Sequence, residues 1–305
     1  MKQSNSYYTT VPSQHKAGYV NIVGYPNVGK STLLNRLIGH RLSIITPKAQ
    51  TTRHRILGFL NGENYQIVFS DTPGYVQKPA YKLHERMNAV IDEALQDADV
   101  LLWIIEPTLE EKDDNPIMKA AEKFGDKCII ALNKIDLISK ESIENYRIRW
   151  KAQLPEASFI AISAEKNIGI DQLLSLILEK LPFSPPFFSK DEITDRPMRF
   201  FVSEIVREKI FLHFQQEIPY CTEVVVEEYK ETPDTDFITC TIYVERESQK
   251  PILIGKAGSA LTKIGKDARL HIEAITGKKA VLKLRVKVKE KWRSRSGALR
   301  QFGYF

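Results

Sequence analysis

Gly24-Tyr25-Pro26-Asn27-Val28-Gly29-Lys30-Ser31 fits the pattern GxxxxGK[ST], and no other segment constrains the fold as much. It lies between a short apolar run, residues 19–23, and a stretch with helical spacing through Leu33, Leu34, Leu37 and Ile38. A strand that feeds a glycine turn and then a helix aims successive backbone N–H groups at one point, where phosphate oxygens fit. The glycines let the backbone curl closely, Lys30 neutralises the β- and γ-phosphates, and Ser31, with Thr32 beside it, offers a hard oxygen to Mg²⁺. Such a cradle needs a sheet behind it. Apolar runs at 65–69, 100–105, 128–132 and 159–162 alternate with helical segments, the last of them at 170–181. That alternation predicts an α/β layer fold, a mostly parallel sheet with helices on both faces. One exception is local: Asn61-Gly62 between the runs 55–60 and 65–69 is a hairpin signal.

Three more motifs fall at predicted strand ends. Asp71-Thr72-Pro73-Gly74 puts a carboxylate where it can hold Mg²⁺ through water, and the Gly74 N–H can meet a γ-phosphate. In Asn133-Lys134-Ile135-Asp136, Asp136 can accept from N1–H and the 2-amino group of guanine. Adenine presents an acceptor there and would leave a desolvated carboxylate unpaired. Ser163-Ala164-Glu165 offers backbone N–H to the guanine O6. Gln50-Thr51-Thr52-Arg53-His54 lies where a first switch belongs; Thr52 is the first choice for the Mg²⁺ and γ-phosphate contact and Thr51 a close second. With the four elements in this order, the region resembles translation-factor-class GTPases, whose nucleotide sits at the C-terminal ends of the strands. The catalytic set is then Lys30, Thr52, Asp71 and Gly74, with GTP as substrate and GDP as product. Tyr75 stands where Ras-like proteins carry the water-positioning glutamine, so another group must order the water or turnover must be slow.

After Pro182 the rhythm changes. The acidic, proline-containing stretch 183–198 reads as a linker, and residues 199–291 as a compact α+β unit with a helix near 200–214 and strands near 223–229, 237–245 and 280–288. Charge divides in the same way. The net +6 conceals +12 from residue 250 onward and −6 before it, so the C-terminal end suits a polyanion. Ile254-Gly255-Lys256-Ala257-Gly258 precedes a helical stretch, 259–275, and resembles the GXXG loop of a KH domain, here of type II, which clamps single-stranded RNA. Ile252, Leu253, Ile254, Leu261 and Ile264 are candidate groove walls, and Lys256, Lys263, Lys283, Arg285 and Lys287 candidate phosphate contacts. Gly265 inside the helix suggests close packing or a bend.

A single GTPase unit (18–182) followed by a KH unit resembles the Era family of bacterial GTPases from Gly18 to Phe305, including Gln-Thr-Thr-Arg-His-Arg and the closing Leu299-Arg300-Gln301-Phe302-Gly303-Tyr304. Ala257 departs from a third glycine in many relatives, which suggests a tighter loop. The resemblance implies a monomeric switch that binds the 3′ end of small-subunit ribosomal RNA and assists the pre-small subunit, with slow intrinsic turnover. It also implies a potassium ion near Asn27, by likeness to the asparagine of some relatives. GTPases of tRNA modification or large-subunit assembly remain an alternative, as does a KH protein with GTP as a structural ligand.

Composition excludes other classes. At 43% hydrophobic and 27% charged residues, with no apolar run near 18 residues and a polar extension (1–17) lacking an apolar core, membrane-spanning and secreted readings fail. Cys128, Cys221 and Cys240 have no metal spacing and read as reduced packing residues of a cytoplasmic protein. The tail 292–305, with Trp292, Arg293, Arg295 and an aromatic end, leaves peripheral contact with the inner face of the cell membrane open beside a packed terminal helix.

Overall fold

A computed structural model describes residues 14–107 and 116–305; most of the polar extension lies outside them. In the first unit β1 (Lys16–Val23) leads through the phosphate loop to α1 (Lys30–Ile38). β2 (Ile56–Asn61) and β3 (Tyr65–Asp71) form the expected hairpin, closed by Gly62 N–H to Tyr65 O at 2.9 Å. Then follow α2 (Lys82–Asp97), β4 (Val100–Ile105), α3 (Pro116–Phe124), β5 (Cys128–Leu132), α4 (Lys140–Gln153), β6 (Ser158–Ala161) and α5 (Ile170–Lys180). The sheet order is β2-β3-β1-β4-β5-β6, parallel except for β2. The central strands are apolar on both sides, as buried parallel strands must be. One core packs α1 and α5 (Leu33, Leu34, Leu173, Ile177) against the sheet. The other packs α2, α3 and α4 against it through Ile91, Ile117 and Trp150. All loops with motifs therefore open at the same sheet edge.

The stretch read as a linker joins the units but is not a loose tether. Phe59 N–H donates to Ile193 O and Thr194 Oγ1 to Leu57 O, while Gln66 Oε1 accepts the N–H groups of Phe187 and Phe188. Phe188 also stacks on Phe59 at 4.1 Å. The segment thus covers the exposed edge of β2, which would otherwise offer unpaired backbone groups.

The second unit runs α6 (Met198–His213), α7 (Ile218–Cys221), β7 (Glu223–Glu231), β8 (Thr235–Val244), α8 (Gln249–Ile254), α9 (Ser259–Thr276) and β9 (Lys279–Val288), ending in α10 (Ser296–Gln301). Its sheet is β7-β8-β9, with β8 and β9 parallel, and α6 and α9 cover one face. The short α8 was not foreseen, because six residues hold too little periodicity. Among the described residues a methyl at Gly265 would meet only Leu284 Cδ1 at 3.5 Å, so tight packing does not account for that glycine.

Candidate functional site

Glycine is required where the loops touch. A Cβ on Gly29, at φ +101°, would lie 2.2 Å from Asn133 Nδ2, and one on Gly74 would lie 2.8 Å from the Pro26 backbone. Asn133 is the clamp between loops: its Nδ2 donates to Val28 O at 2.8 Å and its Oδ1 accepts from Ala164 N–H at 3.0 Å. Lys134 Nζ donates to Asn27 O at 2.7 Å and pairs with Glu106. Arg36 of α1 supports the guanine loop through Ala164 O and Glu165 O. These contacts surround a cavity of about 560 Å³.

Pro26, Asn27, Gly29, Lys30, Ser31, Thr32, Gln50, Thr51, Thr52, Gly74, Asn133, Lys134, Asp136, Ser163 and Glu165 all border that cavity. Gly24, Tyr25, Val28, Asp71, Thr72, Pro73 and Ala164 do not. Tyr25 and Val28 belong to the core, and Thr72 Oγ1 donates to Ile22 O. Lys30 is buried, its Nζ donating to Gly24 O and Tyr25 O at 3.0 and 2.8 Å. Burial pushes it down to about 8 against the pull of Asp71, so an arriving phosphate meets a poorly solvated ammonium.

Ser31 Oγ donates to Asp71 Oδ2 at 2.7 Å and lies 2.9 Å from Thr52 Oγ1. Ser43, which no sequence signal marked, donates to the same Asp71 oxygen. Burial raises the Asp71 carboxyl although Ser31, Lys30, Ser43 and Thr52 oppose it, and Asp71 Oδ1 is buried with no partner among the described residues. Two hydroxyls and a buried carboxylate with an unsatisfied oxygen are the donor set a hard divalent ion takes beside phosphate. Ser31, Thr52 and, through water, Asp71 fit Mg²⁺, which would neutralise charge on the phosphates. Thr51 is excluded from this group: its hydroxyl donates to Lys48 O and bonds Thr46 Oγ1 within the loop. Tyr75 is partly buried against both cores and does not border the cavity.

The first switch continues into the second unit. Arg53, 2% exposed, donates to Thr222 O (2.7 Å), Pro219 O and Tyr220 O (both 3.1 Å) and pairs with Glu223 at 3.1 Å. In return Arg207 of α6, paired with Glu204, donates to Thr51 O. Lys48 donates to Phe211 O and Phe214 O, cation against the carbonyl end of α6. His54 stacks on Tyr304 at 4.4 Å and meets Phe200 edge-on; burial pushes its ring down to about 4 and leaves it neutral.

At the RNA loop Gly255 (φ 78°) and Gly258 (φ 80°) are left-handed, and Ala257 is too, at φ 51°. Ala257 is therefore a strained residue costing about 1–2 kcal/mol rather than a tightening one. Ile252 is 49% exposed and Ile254 partly so beside the loop, but Leu253 and Ile264 are buried core, not groove walls. Lys256 and Lys263 are exposed. Leu282, Leu284 and Val286 face the helices, so Lys283, Arg285 and Lys287 project from the opposite face of the sheet. The structure does not bring the loop and the basic strand together, and Lys287 is engaged by Glu227.

Most of the aromatic tail left open as a membrane contact packs into the molecule, while Arg295 and Phe305 stay exposed. Trp292 is fully buried and donates to Cys221 O at 2.8 Å; with Leu299, Phe302 and Tyr304 it covers Leu83 and Met87 of α2. Arg293 pairs with Glu245 and lies 4.1 Å over the Tyr81 ring. Among the described residues no helix is long and apolar enough to cross a membrane.

Residues 19–134 match a family described as 50S ribosome-binding GTPase and residues 217–293 a KH domain family. The chain is 42% identical to GTPase Era of Carboxydothermus hydrogenoformans and 41% identical to that of Bordetella avium; each alignment covers 95% of this chain and 98% of the relative. A crystal structure of Era with MgGDPNP and nucleotides 1506–1542 of 16S ribosomal RNA superimposes with a TM-score of 0.91 at 40% identity, covering 95% of this chain and 99% of that one. A variant of Aquifex aeolicus Era bound to GDP·AlF4⁻ gives 0.88 at 39% identity, with the same coverage.

Proposed function

This chain belongs to the Era family of GTPases, and on that premise we propose that its GTPase cycle controls the grip of its KH unit on the 3′ end of small-subunit ribosomal RNA. The protein hydrolyses GTP to GDP and phosphate with Mg²⁺, and in the cytoplasm it assists assembly of the small subunit. One observation carries the coupling: the segment that borders the γ-phosphate end of the cavity is the segment bound by the KH unit, through Arg53 outward and Arg207 inward. A group that orders Thr52 orders Arg53 with it, so nucleotide state biases how the two units dock. The Gly255–Gly258 loop, with Lys256 and Lys263 beside it, supplies the RNA contact. Asn27 holds Pro47 O with its amide nitrogen at 3.2 Å and keeps its oxygen for a potassium ion; equal hydrolysis rates in K⁺ and Na⁺ would remove that site.

The test is binding of a labelled oligonucleotide from the 3′ end of the RNA at fixed salt, with the protein loaded with a non-hydrolysable GTP analogue or with GDP. Tighter binding in the analogue form is expected. Equal binding in the two forms would refute the coupling, and binding in neither would refute the RNA target.

A further inference from the structure

The position that would order the attacking water by sequence analogy holds Tyr75, which is partly buried against the core and does not border the cavity, yet the cavity does contain an amide side chain. Gln50 borders the cavity within two residues of Thr52, in a left-handed conformation at φ 59°. A non-glycine residue held there is strained, and such strain concentrates at functional sites. Its side chain is fixed by α2: Gln50 Oε1 lies 3.0 Å from His84 Nε2, and His84 is 7% exposed. The tautomer follows from the other ring nitrogen, since Ala80 N–H donates to Nδ1 at 3.2 Å. Nε2 therefore carries the proton and donates to Gln50. Burial, with the charges of Arg293 and Arg53, keeps the ring neutral. The Gln50 amide nitrogen meets no protein acceptor among the described residues, and its oxygen retains a second lone pair.

We propose that Gln50 is the catalytic residue that orients the attacking water, and that His84 is the positioning residue that holds its amide. This inference rests on the GTPase reading and deepens it. The amide oxygen accepts one O–H of the water while the amide N–H groups face a γ-phosphate oxygen. The water oxygen bonds to the γ-phosphorus as the bond from phosphorus to the β–γ bridging oxygen breaks. The electron pair leaves on GDP, and the water proton ends on the phosphate product. Ground-state binding of GTP needs none of this, so the contribution falls on kcat.

The arrangement also makes the second unit part of the catalytic site. Arg207 holds Thr51 O, next to Gln50, while the tail residues Trp292, Phe302 and Tyr304 pack against Leu83 and Met87, on either side of His84. Both halves of the clasp are thus held by elements beyond residue 198.

The experiment uses the full-length chain and follows steady-state GTP hydrolysis, the affinity for a fluorescent non-hydrolysable analogue, and the thermal midpoint of each variant. For Gln50→Ala, kcat is expected to fall about tenfold or more, with analogue affinity within about twofold of the parent. Gln50→Asn, which withdraws the amide by one methylene, is expected to lose a similar amount. His84→Ala should lower kcat, His84→Gln should restore part of it through an amide donor, and the double variant Gln50→Ala/His84→Ala should be no slower than Gln50→Ala alone. An unchanged kcat in Gln50→Ala, or a loss confined to KM and analogue affinity, overturns the role of Gln50. Multiplicative losses in the double variant overturn the role of His84 as its positioner. A parent protein that failed to turn over GTP in the same assay would instead refute the GTPase reading.

Discussion

Thr51 and Thr52 are neighbours with the same side chain, and they serve different partners. Thr51 closes its hydroxyl into the loop on Lys48 O and Thr46, whereas Thr52 points at Ser31 and the carboxylate of Asp71. Sequence ranked the two only by likeness; the direction of one backbone turn decides between them. Asp136 shows the opposite case, since its chemistry was readable without coordinates and the structure puts it on the cavity wall. Exchanging its carboxylate for an amide replaces an acceptor by a donor. Asp136→Asn is expected to shift preference from GTP to xanthosine triphosphate by about 10²-fold, because the amide donates to the xanthine 2-carbonyl. Competition binding with the two nucleotides measures this, and an unchanged ratio removes Asp136 from base recognition.

At the scale of elements, periodicity located the strands and the helices α1, α5, α6 and α9 to within a few residues, left α2, α3 and α4 without bounds, and failed where an element spans less than two helical turns. α8 is the example, and it matters because it and α9 present the RNA loop between them. The loop's left-handed glycines hold backbone N–H groups clear of side chains; at Gly258 a Cβ would meet nothing within 4 Å. Gly258→Asp is therefore strained by about 1–2 kcal/mol without a clash, and it sets a negative charge against phosphate. It is expected to abolish binding of the single-stranded RNA while GTP binding stays within about twofold. An RNA affinity like the parent's would show that the loop is not the contact. The segment 183–198 carries a second lesson of this scale. Prolines and acidic residues announced an irregular stretch, but not that its backbone would pair with β2, because hydrogen bonds of an extended segment depend on where the partner edge lies.

The whole molecule is held together by charges buried between its units. Arg53 fills its donors with three carbonyls and Glu223, and Tyr304 Oη donates to that carboxylate at 2.6 Å. Arg53→Ala would leave Glu223 buried without its paired cation, a loss of about 3–5 kcal/mol for docking. RNA affinity is then expected to become the same with GTP analogue and GDP, a change that titration of the oligonucleotide in both states reads directly. A retained difference would mean that another contact transmits the nucleotide state. Nearby, Arg41 of the first unit pairs with Glu208 of α6, which His271 and Lys209 also hold. Burial alone would raise the Glu208 carboxyl, but the His271 and Lys209 hydrogen bonds and the Arg41 charge outweigh it and pull it down to about 2. A carboxylate depressed in the folded state stabilises fully above its unfolded value, about 4.5, and the contribution is lost as pH falls toward 2. Urea midpoints should therefore show Glu208→Gln weaker than the parent by on the order of 2–3 kcal/mol above pH 5, with the gap closing between pH 4.5 and 2. A gap independent of pH would assign the loss to packing instead.

The four nucleotide motifs, the α/β alternation and the RNA loop were legible in the amino-acid order because each is local: a few consecutive residues carry both the geometry and the chemistry. What the tertiary structure decided involves residues far apart in the chain. Asn133 clamps Val28 to Ala164, Gln50 meets His84, Arg53 enters the KH unit, and the tail closes over α2. A lone serine such as Ser43 leaves no trace in composition or spacing. Such contacts exist only once two hydrophobic cores have fixed which loop ends lie side by side, and that placement is a property of the packed chain rather than of any segment within it.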